Sequence, residues 1–259
     1  MPRHPQVWQI SFLIILLFCA ISGLAAEGNL SDNQRISSTH LGYELQYRIY
    51  RPAGTSAADK LPSLYITDGQ MYLDQGDFIS VMEKAISTGE IKPVLAVFLD
   101  SRNPDDLAEN RRNNQFMCNA KFAAFFAEEL VPTISREQPV RLSRNDRVIL
   151  GLSFGGLNSA CFGVTVPDLF AGIAMQSPAS GTHVDVVREL YEQSETLPLK
   201  MYLSVGTQND NLDAVKRFKR TLESKGYDLT YTKVRKGHNW QNWGPLLDDV
   251  LLTFFAKPE

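Results

Sequence analysis

The sequence predicts an α/β protein, with a mainly parallel central sheet carrying helices on both faces. Three observations lead there. Apolar segments of strand length alternate repeatedly with periodic segments of helix length, the order that builds parallel sheets. Residues 93–99 are almost continuously apolar, as a strand covered on both faces must be. Residues 147–157 (Arg-Val-Ile-Leu-Gly-Leu-Ser-Phe-Gly-Gly-Leu) pass from an apolar strand, through a glycine-flanked serine, into the start of a helix.

Taken in order, residues 28–40 are polar and read as a surface loop. Over 43–51, Leu45, Tyr47 and Ile49 alternate with Gln46, Arg48 and Tyr50, the period of a half-buried strand. A Pro/Gly/Ser/Ala stretch at 52–60 ends it. Leu64, Tyr65 and Ile66 give a short central strand, and Asp68, Gly69 and Gln70 follow at its C-terminal end, where open parallel sheets bind ligands. Residues 78–86 suit a crossover helix and 93–99 the next strand. Residues 100–117 run polar and charged without a period, as loops that shape active sites do. Asn119 caps a helix whose Phe122, Phe125, Phe126, Leu130 and Ile134 recur every three to four residues. After a turn at 142–146 comes the strand into Ser153. Beyond its helix, 170–175 and 200–205 read as buried strands, while 179–197 shows no period that assigns it. Residues 212–225 form a helix stopped by Gly226, 229–234 an alternating strand, and 246–255 a closing amphipathic helix.

A chain of 259 residues, 44% of them hydrophobic, can bury one large core, so residues 27–259 are expected to form a single domain. A net charge of −3 with scattered Lys and Arg provides no basic field for nucleic acid. Residues 1–26 stand apart: Arg3, an apolar run at 10–24, and the small pair Ala25-Ala26 have the order of a secretory signal. The run is near the shortest length that spans a bilayer, so a retained anchor is the alternative, and membrane association depends on it. Phe18 before Cys19 does not suit lipidation. Only Cys118 and Cys161 then remain, and an exported compartment permits them to pair. Cys161, on the helix after Ser153, reads as a small buried hydrophobe. Neither has CxxC spacing, and no metal or other cofactor is expected. The sequence gives no oligomeric state.

The chemistry centres on Gly151-Leu152-Ser153-Phe154-Gly155. A serine on a sharp strand-to-helix turn sits in strained backbone, and the positions two away on either side must lack bulk. A glycine-rich turn would also satisfy the pentapeptide, but the flanking strand and helix make it a nucleophile elbow. Serine needs a base within hydrogen-bond reach and a group that orients that base. Of four histidines, His4 lies in the export segment, His40 precedes the first strand, and His183 is read as a solvated or hydrogen-bonded structural residue. His238 follows the last strand, where this architecture keeps its base. Asp210 ends the preceding strand, giving the chain order Ser153, Asp210, His238. Asp213 is the rival acid, although a carboxylate in a helix's first turn is already explained by the helix dipole. An oxyanion needs two aligned N–H donors. Phe154 supplies one, and Gly69 or Gln70 the other.

Five blocks carry a family resemblance: residues 66–70 (Ile-Thr-Asp-Gly-Gln), 112–119 (Arg-Asn-Asn-Gln-Phe-Met-Cys-Asn), 128–132 (Glu-Glu-Leu-Val-Pro), 151–157 and 237–240 (Gly-His-Asn-Trp). Together they resemble the putative-esterase (esterase D-like) α/β hydrolases, most closely the enterochelin esterase group, from Tyr43 to the C-terminus. The resemblance implies an α/β-hydrolase fold and an exported serine hydrolase cleaving a carboxylic ester, with Ser153, Asp210 and His238 on the triad positions. It also puts Arg112 on an arginine that lines the family's active site. Gln115 stands where relatives usually carry glutamate and Asn239 where aspartate is usual, so the substrate differs from that of named members. The chain is more similar to the shorter exported relatives, some of which use a Ser-His pair alone. The resemblance implies a small-molecule or carbohydrate-linked ester of siderophore, feruloyl or acetyl type, and the sequence does not choose among them. Tyr72, Trp240 and Trp243 are compatible with catecholate or feruloyl groups, Trp240 being the substrate-binding candidate. An acyltransferase passing the group to a sugar or lipid hydroxyl is the alternative. The intact Ser, His and acid argue against a non-catalytic binding module.

Overall fold

The computed structural model describes residues 28–258 together with Met1. The expected export segment lies outside the described residues. The main sheet comprises β1 (Asn29–Leu30), β2 (Gln34–Ser38), β3 (Tyr43–Arg51), β4 (Ser63–Ile66) and β5 (Leu95–Asp100). A separate hairpin, β6 (Arg102–Asn103) and β7 (Asp106–Asn110), precedes β8 (Arg147–Leu152), β9 (Gly172–Gln176), β10 (Lys200–Gly206) and β11 (Asp228–Val234), which complete the main sheet. Its order is β1-β3-β5-β4-β8-β9-β10-β11, with β2 also paired to β3. Every pair from β5 to β11 is parallel, and β3 runs antiparallel to β1, β2 and β5.

The pleat sorts the core in two. Tyr65, Val97, Ile149, Ile173 and Leu203 face one layer, packed by the helical run from Ala120 to Glu137 and the helices Phe154–Thr165, Gly181–Gln193 and Leu212–Ser224. Leu64, Ile66, Phe98, Leu150 and Tyr202 face the opposite layer, packed by Gly69–Asp74, Phe78–Ser87 and Leu247–Phe255. Each large apolar side chain fully buried in this way contributes about 1.5–3 kcal/mol. Parallel registers pair Ile66 with Leu150, and Gln176 with both Leu152 and Ser204. The segments after β4, β8, β9 and β10 therefore leave the sheet at one edge.

Several segments differ from their sequence expectation. Residues 28–40 are not loop throughout, because β1 and β2 satisfy their backbone groups on β3 while Arg35 reaches Asp105 at the surface. On β3 the alternation is incomplete: Gln46 and Tyr50 are buried too, Gln46 donating to Asp100. The stretch 100–117 contains the β6–β7 hairpin and a helical turn, Arg112–Gln115, whose short pieces show no period. Residues 179–197 hold the helix Gly181–Gln193, whose buried face is only Val184, Val187 and Tyr191, too narrow a stripe to stand out among polar neighbours. The helix after Asn119 is interrupted by a π-helical turn, Phe125–Leu130, just before Pro132, which has no N–H to continue an α pattern. Asn119 itself caps as expected, accepting from the amides of Lys121 and Phe122.

Candidate active site

Ser153 lies between the strand β8 and the helix Phe154–Thr165, which it caps, with φ 57° and ψ −122°, backbone that costs a non-glycine residue about 1–3 kcal/mol. Its neighbours hold it there: Ser153 donates its N–H to Gln176 O at 2.8 Å and accepts from the amides of Leu157 at 3.0 Å and Ala179 at 3.2 Å. The glycines are required by space. A Cβ on Gly151 would overlap the Gly155 carbonyl, one on Gly155 would lie 2.9 Å from Thr67 Oγ1, and one on Gly156 would lie 3.0 Å from Gln176 O.

Ser153 Oγ is 2.8 Å from His238 Nε2, and His238 Nδ1 is 2.8 Å from Asp210 Oδ1. An ionised Asp210 only accepts, so Nδ1–H donates to it and Nε2 is left to accept the serine proton. The Asp210 side chain has no exposed surface. Burial pushes its carboxyl up, but hydrogen bonds from His238, from Ser177 and from the amides of Gly206 and Asn211 outweigh it and hold the pKa below the ordinary carboxylate value. Asp213 is different: its side chain is 87% exposed on the next helix, 3.9 Å from Lys216. The imidazole of His238 is backed edge-on by Trp243, with centroids 5.0 Å apart. His40 pairs with Glu128 far along the chain, whereas His183, read as structural, hydrogen-bonds Ser180 and meets the Phe154 ring edge-on at 6.2 Å.

The other side of the elbow is built from β4 and the 100–118 segment. Phe154 opens its helix and Gly69 and Gln70 open the helix Gly69–Asp74, so these amides are first-turn donors without intrahelical acceptors. A Cβ on Gly155 would sit 3.4 Å from Asp68 Oδ2, which fixes how closely the two turns approach. Asp68, itself at φ 55°, is buried and accepts from Arg112 Nη2 at 2.7 Å, from Nε at 3.1 Å to both oxygens, and from Ser101 Oγ at 2.8 Å. The Arg112 guanidinium lies over the rings of Phe154 (5.5 Å) and Phe116 (5.6 Å), reaching the elbow from the segment expected to shape the site. Gln115 is buried with its Oε1 unpaired. Just beyond it, Cys118 and Cys161 form a disulfide, which corrects the reading of Cys161 as a free buried hydrophobe. Tyr72 and Trp243 belong to the core rather than to a binding surface. Trp240 is half-buried and packs edge-on against both, at 5.4 and 5.7 Å. Ser177 and Asn242 are not among the site residues expected from the sequence, and Asp68 is expected there only as part of the turn after β4, not as the partner of Arg112. Asn242 had a signal, since it lies one turn past His238, but nothing local marks an asparagine as a partner of Asp210.

A model of the family described as putative esterase matches residues 38–254. The Bacillus subtilis protein YjcH, itself uncharacterized, is 26% identical over 243 residues, covering 88% of this chain and 98% of that one. The iron(III) enterobactin esterase of Yersinia enterocolitica is 25% identical over 166 residues, covering 62% of this chain and 46% of that protein. Among solved structures, the Shigella flexneri enterobactin esterase crystallised in the presence of enterobactin superposes with TM-score 0.75 at 20% identity, covering 86% of this chain and 58% of its own. The ferulic acid esterase of Anaeromyces mucronatus in complex with ferulic acid gives 0.72 at 16% identity, covering 96% and 98%. The chain thus spans about half the length of the enterobactin esterases it matches. By its family match, the chain belongs to the putative esterase family of carboxylic ester hydrolases and carries the α/β-hydrolase fold.

Proposed function

We propose that the chain is an exported serine esterase, residues 1–26 serving as its signal and residues 27–259 as one catalytic domain. The observation that carries the mechanism is the hydrogen-bonded chain from Ser153 through His238 to Asp210 at a strained elbow. Ser153 Oγ attacks the ester carbonyl carbon while its proton passes to His238 Nε2 and the carbonyl electrons move onto oxygen. The amides of Phe154 and of Gly69 or Gln70 stabilise that oxyanion. Collapse expels the alcohol, which takes the proton from Nε2, and leaves an acyl-Ser153. Water then repeats the sequence and releases the acid. Asp210 holds the imidazole in the required tautomer and stabilises its protonated form.

The Arg112 guanidinium over Phe154 makes a flat, charged wall suited to an aromatic or oxygen-rich acyl group. Relatives named for enterobactin and ferulic acid support an aromatic ester. The Cys118–Cys161 disulfide supports export, because such bonds persist in oxidising compartments. The test is a panel of siderophore, feruloyl and acetyl esters assayed with and without acceptor alcohols. Preferential hydrolysis of the aromatic esters is the expected result. Acyl transfer to the acceptor in preference to water would make the protein an acyltransferase instead.

A further inference from the structure

Asp210 Oδ1 faces His238 and also accepts from Asn211 N at 2.7 Å, while its other oxygen is held by three further donors. Oδ2 accepts from Ser177 Oγ at 2.7 Å, from Gly206 N at 2.7 Å and from Asn242 Nδ2 at 3.2 Å. The same Asn242 amide nitrogen lies 3.0 Å from Ser177 Oγ and 3.1 Å from Gly237 O. A carboxylate and a carbonyl can only accept, so that end of the side chain must be the NH₂ group. One amide thus touches the end of β9, the end of β10 and the loop residue directly before His238. Asn242 and Ser177 are fully buried, and a Cβ on Gly206 would lie 3.0 Å from both Asn242 Nδ2 and Asp210 Oδ2, so the cluster is closed to a side chain there.

Asn242 Oδ1, by contrast, is buried without a partner. An orphan acceptor costs free energy that an apolar residue would avoid, so stability alone is a poor reason for an asparagine here. Its neighbour on the short helix Trp240–Trp243 is Trp243, which backs the imidazole. Consecutive residues of one helical turn therefore grip the acid and the base.

We propose that Asn242, acting with Ser177, is the positioning residue that sets Asp210 against His238. This rests on the Ser153–His238–Asp210 reading above. Asn242 touches no reacting atom and acts through Asp210 rather than through its bond to Gly237 O.

A double-mutant cycle with p-nitrophenyl acetate separates this from a merely structural role. Asn242→Ala is expected to lower kcat about tenfold with KM unchanged, and to add nothing when Asp210 is already Asn, because the group it acts through is gone. Ser177→Ala removes one hydroxyl only and carries the same test if Asn242→Ala does not fold; it too should lose its effect on kcat in the Asp210→Asn background. An equal penalty in both backgrounds, or a change confined to KM, overturns the proposal while leaving the triad reading intact. Full activity of Asp210→Asn on its own would instead remove the triad reading, and this proposal with it.

Discussion

At the scale of single residues, the roles differ physically and so should the mutational effects. Ser153→Ala and His238→Ala should each lower kcat by about 10⁴- to 10⁶-fold, with the double mutant no worse than either, because nucleophile and base act as a unit. Asp210→Asn should cost about 10- to 10⁴-fold, less than loss of the nucleophile or base, because an acid that only orients the imidazole matters less. Asp213→Asn, whose side chain is exposed and near Lys216, should leave kcat almost unchanged. Steady-state rates on one activated ester, after confirming that each variant is folded, check the series. Asp210 also makes a pH prediction. Its folded pKa is depressed, so its contribution to stability is fully present above the unfolded value of about 3.9 and is lost as pH falls through the lower folded value. The Tm difference between wild type and Asp210→Asn, large near neutrality, should shrink through that acid window. A difference independent of pH would contradict it. Arg112→Ala should raise KM for an aromatic or anionic ester more than for a small neutral one, because the guanidinium lies over Phe154 at the elbow. The variant also leaves buried Asp68 without its counter-ion, with Ser101 Oγ still donating to it, so Tm should fall as well.

At the scale of elements, the disulfide joins the segment that bears Arg112 to the middle of the helix that begins beside Ser153. Its ends are 43 residues apart, so replacing both cysteines with serine should cost about 3–4 kcal/mol on the chain-entropy argument, measured by denaturant unfolding. Elements that pack by simple periods were legible in the sequence. Strands β4, β5, β8 and β10 are mostly apolar runs buried along nearly their whole length, and the helix Leu212–Ser224 has a broad apolar stripe and a glycine stop. What was not legible depends on partners distant along the chain. β2 is a strand only because β3 supplies its hydrogen bonds, and Gly181–Gln193 is anchored by three side chains that meet neighbours from elsewhere. The site divides in the same way. Ser153, Asp210 and His238, which the structure brings into one hydrogen-bonded chain, were named from local motif and chain order, whereas Asp68, Ser177 and Asn242 join the candidate site through contacts that no spacing encodes.

At the scale of the whole molecule, one sheet gathers the ends of β4, β8, β9 and β10 at a single edge, so that residues far apart in sequence meet around Ser153. Among the described residues no helix is long and apolar enough to cross a membrane. If residues 1–26 are an export signal, the mass of the protein recovered from the periplasm or medium should place its first residue near Glu27, whereas Met1 on membrane-bound protein would mean an anchor. Covalent trapping with a fluorophosphonate, followed by peptide mass mapping, identifies the nucleophile. One label is expected, on Ser153, absent from Ser153→Ala and formed far more slowly by His238→Ala. A label on another serine, together with ester hydrolysis by Ser153→Ala at the wild-type rate, would contradict that assignment.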